Sequence, residues 1–163
     1  MNKRSFKNGL IVGGALFVLT AMIVYFKFSI QPDISLSEVE VTNLDGAKVE
    51  LNDYLGKPLV VNYWGTWCAP CLQEFPHFEK VKKQLGEDVN FIMISDESID
   101  KINKFSSSKP YTFNYLRSER EFGEYGITVR PTTYFYDSQG KLVAKHSSDL
   151  DVAKLSELVE MIK

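Results

Sequence analysis

Cysteine is nearly absent from this chain: 163 residues hold two, Cys68 and Cys71. Histidine is as scarce, with His77 and His146 only. No acidic residue precedes Asp33, and repeats and low-complexity segments are missing throughout. Each scarcity excludes something. Two cysteines three positions apart close so small a loop that a disulfide between them would hold little of the fold together, and a chain of this length can bury a sufficient core without one. A structural zinc site wants about four ligands. Beyond the thiols only the two histidines remain, with no second C-x2-C or H-x3–5-H pair, so no metal site is expected and both histidines read as surface side chains.

The missing acids expose an asymmetry. Lys3, Arg4, Lys7 and Lys27 are the only charges before Asp33, which leaves 15 basic against 21 acidic residues, a net of −6, for the remainder. That balance argues against nucleic acid as a partner. Leu10 to Phe26 reads LIVGGALFVLTAMIVYF, uncharged, with Thr20 its only polar member. At about 1.5 Å per residue it reaches roughly 25 Å, the short end of a bilayer span; the stem of Lys27 and the apolar Phe28 and Ile30 can extend it. The basic head in front places the N-terminus in the cytoplasm by the positive-inside rule. A cleaved signal peptide is the alternative, but no small-x-small site stands near Ala21 to Ile30. The expected organisation is a cytoplasmic basic tail at 1–8, a single transmembrane anchor at 9–28, a linker at 29–37 and one folded domain at 38–163. That domain would lie outside the cytoplasm, across the membrane from the basic tail. A monomer is expected, since one small domain and an anchor require no partner subunit.

The domain reads as an α/β fold. Val39, Val41, Val49 and Leu51 alternate around Asn43-Leu44-Asp45-Gly46, a predicted N-terminal β-hairpin. Leu59 to Trp64 (LVVNYW) and Val89 to Ile94 (VNFIMI) are short apolar runs that suit buried strands. Between them Leu72, Phe75, Phe78, Val81 and Leu85 recur at helical spacing, closed by Gly86. A crossover helix is predicted from about Ser98, a short strand at Phe113 to Leu116, and a short helix from Glu119 to Tyr125. A hairpin then turns on Asp137-Ser138-Gln139-Gly140, and a last amphipathic helix starts near Asp149 or Asp151. The order predicts a central mixed sheet with helices on both faces, and it puts the cysteines at a strand-to-helix turn.

At such a turn the two cysteines suit a redox couple. Unpaired backbone N–H groups and the helix dipole stabilise a thiolate at a helix N-terminus. Cys68 would occupy that exposed first turn and attack; Cys71, one turn on and more sheltered, would resolve the mixed disulfide. Pro70 suits a first-turn position because it needs no N–H. Trp64 and Trp67 flank the turn and are expected to shield one side of it.

WGTWCAPC after a buried strand, with VRPTTYFYDSQGKL about sixty residues later, resembles the thioredoxin superfamily. LDGAKVELNDYLGKPLVVNYWGTWCAPCLQEFP is similar, more closely, to the membrane-anchored TlpA/ResA-like thiol-disulfide oxidoreductases, over about Val39 to Lys163. The resemblance implies a thioredoxin-like fold and further roles. Pro131 matches the family's cis-proline, set against the cysteines, with Arg130 offering its backbone to a bound substrate strand. Glu74 matches the acid of a CxxCxxExP pattern; three residues beyond Cys71 it shares a helix face with it. A carboxyl partly buried beside two thiols should have a raised pKa and can shuttle protons. Thioredoxin carries a buried acid six residues before its first cysteine, where this chain has Asn62, so the acid role would fall to Glu74. Pro76 is expected to kink the helix.

The implied activity is protein-disulfide reduction through Cys68, Cys71 and Glu74, with Trp67, Pro70, Arg130 and Pro131 at the substrate, no cofactor beyond the redox-active Cys68–Cys71 disulfide, and a membrane thiol-reductant as electron donor. In that family the substrates are often apocytochrome c cysteines, reduced during cytochrome c maturation. A disulfide oxidase or isomerase is the alternative direction. A copper-delivery protein of the same fold is a further one, though such proteins usually space their cysteines by three residues and add a late histidine. A peroxidase fits less well, because that chemistry wants Thr-x-x-Cys and Thr66 stands only two residues before Cys68.

Overall fold

The computed structural model describes residues 12–24 and 32–163. The chain divides into two units, Met1–Gln31 and Pro32–Lys163. In the first, residues 12–24 form helix α1. Its large apolar side chains, Leu16, Phe17, Leu19 and Ile23 among them, are exposed. The Thr20 hydroxyl donates back to the carbonyls of Leu16 and Phe17, so the one polar side chain of the helix is satisfied within it. The expected anchor, 9–28, reaches past these residues at both ends, and the basic tail, 1–8, lies outside the described residues. Among the described residues no helix is long and apolar enough to cross a membrane.

The second unit is built on a seven-stranded mixed sheet. Its strands are β1 (Val41–Thr42), β2 (Lys48–Val49), β3 (Leu59–Trp64), β4 (Asn90–Ser95), β5 (Asn114–Ser118), β6 (Thr132–Tyr136) and β7 (Leu142–Ser147). They lie in the order β2-β1-β5-β4-β3-β6-β7. β3, β4 and β5 run parallel; the other pairings are antiparallel. The predicted N-terminal hairpin is β1–β2, with Val41 opposite Val49, and the second hairpin is β6–β7. Every residue of β3 is buried, as a largely apolar strand between two neighbours requires, and the one polar amide in it, Asn62, is hydrogen-bonded.

Three helices follow the strands: α2 (Ala69–Leu85), α3 (Ile99–Ser107) and α4 (Val152–Glu160). Ser98 and Asp151 stand at the N-caps of α3 and α4, and the Asp151 carboxylate accepts the Lys154 N–H. Helices were expected on both faces; the α-helices gather on one. Val60, Trp64, Phe91 and Met93 of the sheet share a core with Phe75 and Phe78 of α2, Ile102 of α3 and Leu155 of α4. Strand order explains it. The steps β3 to β4 and β4 to β5 go the same way, and right-handed crossovers then put both connecting helices on the same side. The second face, with Val61, Tyr63, Ile92 and Ile94, is covered by the segment from Ile34 and by single 3-10 turns at Leu36–Glu38, Leu51–Tyr54 and Phe122–Tyr125.

The compact unit therefore begins before the expected boundary at Glu38. Ile34 and Leu36 are buried, and the Tyr134 and Tyr136 hydroxyls donate to the carbonyls of Pro32 and Ile34. Pro32 lies on Gly126, whose φ of +76° suits glycine and where a Cβ would meet the proline ring at 3.0 Å. On the other face Phe75 anchors α2. Its ring meets those of Trp64, Phe105, Tyr111 and Phe113 at centroid distances of 5.0 to 5.7 Å, and each such pair adds roughly 0.5–1.5 kcal/mol to the area it buries. That packing fixes the rotation of α2 and with it the side chain of the preceding residue, Glu74. Helix α2 continues through Pro76 to Leu85.

Candidate active site

The carboxyl end of β3 runs into Gly65-Thr66-Trp67 and then into α2, so the cysteines sit at the edge where the parallel strands end. Cys68 is the N-cap of α2, and its Sγ accepts the Cys71 backbone N–H at 3.3 Å. Cys68 and Cys71 are joined as a disulfide, with Cα atoms 5.3 Å apart. Cys71 is 0% exposed and Cys68 4%. The order of shelter is as expected, but Cys68 is far less open in the disulfide than the sequence suggested. The Cys71 N–H of the first helical turn reaches its sulfur, and the N-terminus of a helix is a setting that favours a thiolate once the bond is reduced.

The two tryptophans part company. Trp64 is fully buried among Phe75, Phe105 and Tyr115 and shields nothing at the surface. Trp67 is 64% exposed. Its indole folds over Gly65, where a Cβ would stand 3.0 Å from Nε1, so a side chain at this position would displace the indole. Pro70 is exposed on the first turn of α2.

Pro131 reaches the same edge from the opposite direction. β6 pairs antiparallel with β3, placing Thr132 beside Tyr63, so the residue before β6 lies next to the turn that follows β3. The Arg130–Pro131 peptide bond is cis. The Arg130 guanidinium is ion-paired with Asp96, the first residue after β4, and stacks on Phe122 at 4.5 Å and Trp67 at 5.2 Å. Asp96 also accepts the Phe122 N–H. Neighbouring Glu97 takes the Thr66 N–H and hydroxyl and pairs with Lys101. Asp96, Glu97 and Phe122 were not singled out from sequence. The signal available was two acids, Asp96-Glu97, directly beyond a buried parallel strand, where open α/β sheets bind their ligands.

Glu74 is fully buried. Its Oε1 accepts from Asn62 Nδ2 at 2.8 Å and its Oε2 from the Leu150 N–H at 2.9 Å; Asn62 also donates to Thr133 Oγ1 at 2.9 Å. Burial pushes the carboxyl up to about 8 and Asp149 adds to that, while the hydrogen bonds from Leu150 and Asn62 pull it back. A group that binds and releases a proton near neutral pH therefore stands one helical turn from Cys71, with no exposure of its own. Asn62, at the place of thioredoxin's acid, is the amide that donates to Glu74.

His77 is half-buried rather than a surface side chain, with Nδ1 2.8 Å from the Leu150 carbonyl oxygen. His146 Nε2 meets the Ser148 hydroxyl. Among the described residues no three His, Cys, Asp or Glu side chains come together as a metal site.

Comparison with known proteins agrees with this geometry. The AhpC/TSA family matches residues 32–145. The thioredoxin-like protein YneN of Bacillus subtilis is 29% identical over 135 residues, 80% of this chain and 76% of that protein. The thiol-disulfide oxidoreductase ResA of Bacillus thuringiensis subsp. konkukian is 30% identical over 126 residues, 75% and 73% of the two chains. A thioredoxin-family thiol:disulfide interchange protein of Chlorobium tepidum superimposes with a TM-score of 0.66 at 20% identity, over 80% of this chain and 98% of that one.

Proposed function

The chain belongs to the AhpC/TSA family and is a thiol-disulfide oxidoreductase of the ResA-like, thioredoxin-fold kind, and from that premise we propose that it is a membrane-anchored reductase of protein disulfides on the outer side of a bacterial plasma membrane. In the reduced enzyme the Cys68 thiolate attacks one sulfur of a substrate disulfide. A mixed disulfide forms and the other substrate sulfur leaves as a thiolate, which takes up a proton. Cys71 then loses its proton to the Glu74 carboxylate and attacks the Cys68 sulfur. The second substrate thiolate departs and receives the proton from Glu74, leaving the Cys68–Cys71 disulfide. Two electrons pass to the substrate, and a thiol-reductant in the membrane restores the dithiol.

The single observation that carries the reading is Glu74: a buried carboxyl held near 8, one turn behind the disulfide. A proton carrier works best when its affinity lies near the operating pH. Trp67, Pro70 and the backbone of Arg130 beside Pro131 are assigned to the substrate strand. Helix α1, with uncovered apolar side chains behind a basic head, supports the anchor. An anchored reductase at that surface suits cysteine pairs of exported proteins, among them apocytochrome c.

The reduction potential of the Cys68–Cys71 couple tests the direction. A value below about −220 mV in a thiol buffer makes the protein an electron donor; a value near about −120 mV makes it an oxidant and removes the reductase reading.

A further inference from the structure

Glu74 and His77, three residues apart on α2, end on the same residue of another element. Leu150 lies in the connection between β7 and α4, 1% exposed, with its side chain in the core shared by α2 and α4. Its N–H donates to Glu74 Oε2 at 2.9 Å, and its carbonyl oxygen faces His77 Nδ1 at 2.8 Å. A carbonyl only accepts, so Nδ1 carries the hydrogen, in the neutral ring as in the imidazolium. The two bonds belong to different peptide groups on either side of one Cα, so together they fix both backbone torsions of Leu150. The connection needs such holding. Ser148, two residues earlier, has φ of +126°, an uncommon backbone for a residue with a side chain.

We propose that His77 is a positioning residue for Glu74: by gripping the Leu150 carbonyl it keeps the Leu150 N–H on Glu74 Oε2, and so sets how tightly Glu74 holds the proton it exchanges with the cysteine pair. The inference rests on the proton role given to Glu74 above, but its geometry is independent of that role. Around Glu74 stand Asn62 from β3, Thr133 of β6 behind that amide, Asp149 from the same connection as Leu150, and Cys71 on its own helix. Asn62 and Leu150 donate to the carboxylate, and Asp149 opposes its charge. Of the two donors only Leu150 sits on a connecting segment, and His77 is the α2 side chain that holds its carbonyl.

The test is the titration of the Glu74 side-chain carboxyl, followed by its carbon resonance in the full-length oxidised protein, where no thiol titrates. His77→Phe keeps a ring and removes the donor; His77→Asn keeps a nitrogen donor near the place of Nδ1. The Glu74 midpoint is expected to rise by on the order of one pH unit in His77→Phe and to return in His77→Asn. If the phenyl ring prevents folding, His77→Gln, which moves the donor by one methylene, carries the same comparison. An unchanged midpoint in a folded variant without the donor overturns the proposal. In the reduced protein the pH profile of disulfide exchange should move with the midpoint in His77→Phe, and not move in a Glu74→Gln background; movement there also overturns it. If the midpoint shifts while Glu74→Gln exchanges with the wild-type profile, the positioning role stands and the proton role of Glu74 falls.

Discussion

Asn62 Nδ2 lies 2.8 Å from Glu74 Oε1, joining a fully buried amide on β3 to a fully buried carboxyl on α2. The pair ties the helix that carries the cysteines to the sheet beneath it, and it sets what each partner loses if the other is removed.

Asn62→Leu removes the amide and leaves Glu74 Oε1 and Thr133 Oγ1 without their buried donor. The expected loss of stability is about 1–3 kcal/mol. It should be larger at pH 8.5 than at pH 5, because the ionised carboxylate needs the donor most. Urea denaturation at the two pH values measures it.

Glu74→Gln should flatten the pH dependence of stability. The carboxyl is raised from 4.5 to about 8 in the folded protein, so between these values the native state holds a proton that the unfolded chain has released. Its contribution is fully present below about pH 4.5 and is lost as pH rises through about 8. The wild type should lose on the order of a few kcal/mol more than the variant over that range. Equal slopes in paired urea titrations would contradict the buried, raised carboxyl.

Cys68→Ser should abolish disulfide exchange, whereas Cys71→Ser should leave the attacking thiol in place and arrest the reaction as a mixed disulfide on Cys68. Mass spectrometry after incubation with a disulfide-bonded peptide reads both. Turnover in Cys68→Ser, or an adduct absent from Cys71→Ser, would reverse the roles given to the two sulfurs.

Asp96→Asn removes the charge that holds Arg130 against Trp67 and Phe122. The exposed indole should gain freedom, seen as lower fluorescence anisotropy. KM for a protein disulfide should rise several-fold with kcat little changed, since the sulfurs themselves are untouched. Arg130→Lys keeps the ion pair but not the planar stack and should retain only part of the wild-type affinity.

Much of this was legible in the sequence because it is local. The Leu59–Trp64 strand, the α2 periodicity, the hairpin turns, and the positions of Ser98 and Asp151 are written within a few neighbouring residues. Glu74 was legible through its match to the CxxCxxExP pattern, whose spacing puts it on the face of Cys71. What sequence did not show depends on distant segments meeting. Trp64 and Trp67 look alike in the chain, and only the sheet's neighbours decide that one is core and the other surface. Asp96 and Arg130, 34 residues apart, meet because β4 ends where β6 begins. His77 passed for a surface side chain because its partner is a backbone carbonyl 73 positions away, and a backbone carbonyl has no sequence signature.

The two tyrosines of β6 have a mechanical consequence. Tyr134 and Tyr136 grip the carbonyls of Pro32 and Ile34 across 102 positions of sequence. Any pull arriving through Pro32 therefore reaches two phenolic bonds, and through them the strand that starts directly after Pro131. A fragment that begins at Glu38 lacks both carbonyls, so it leaves the two phenols of the strand that borders the cysteines without these partners.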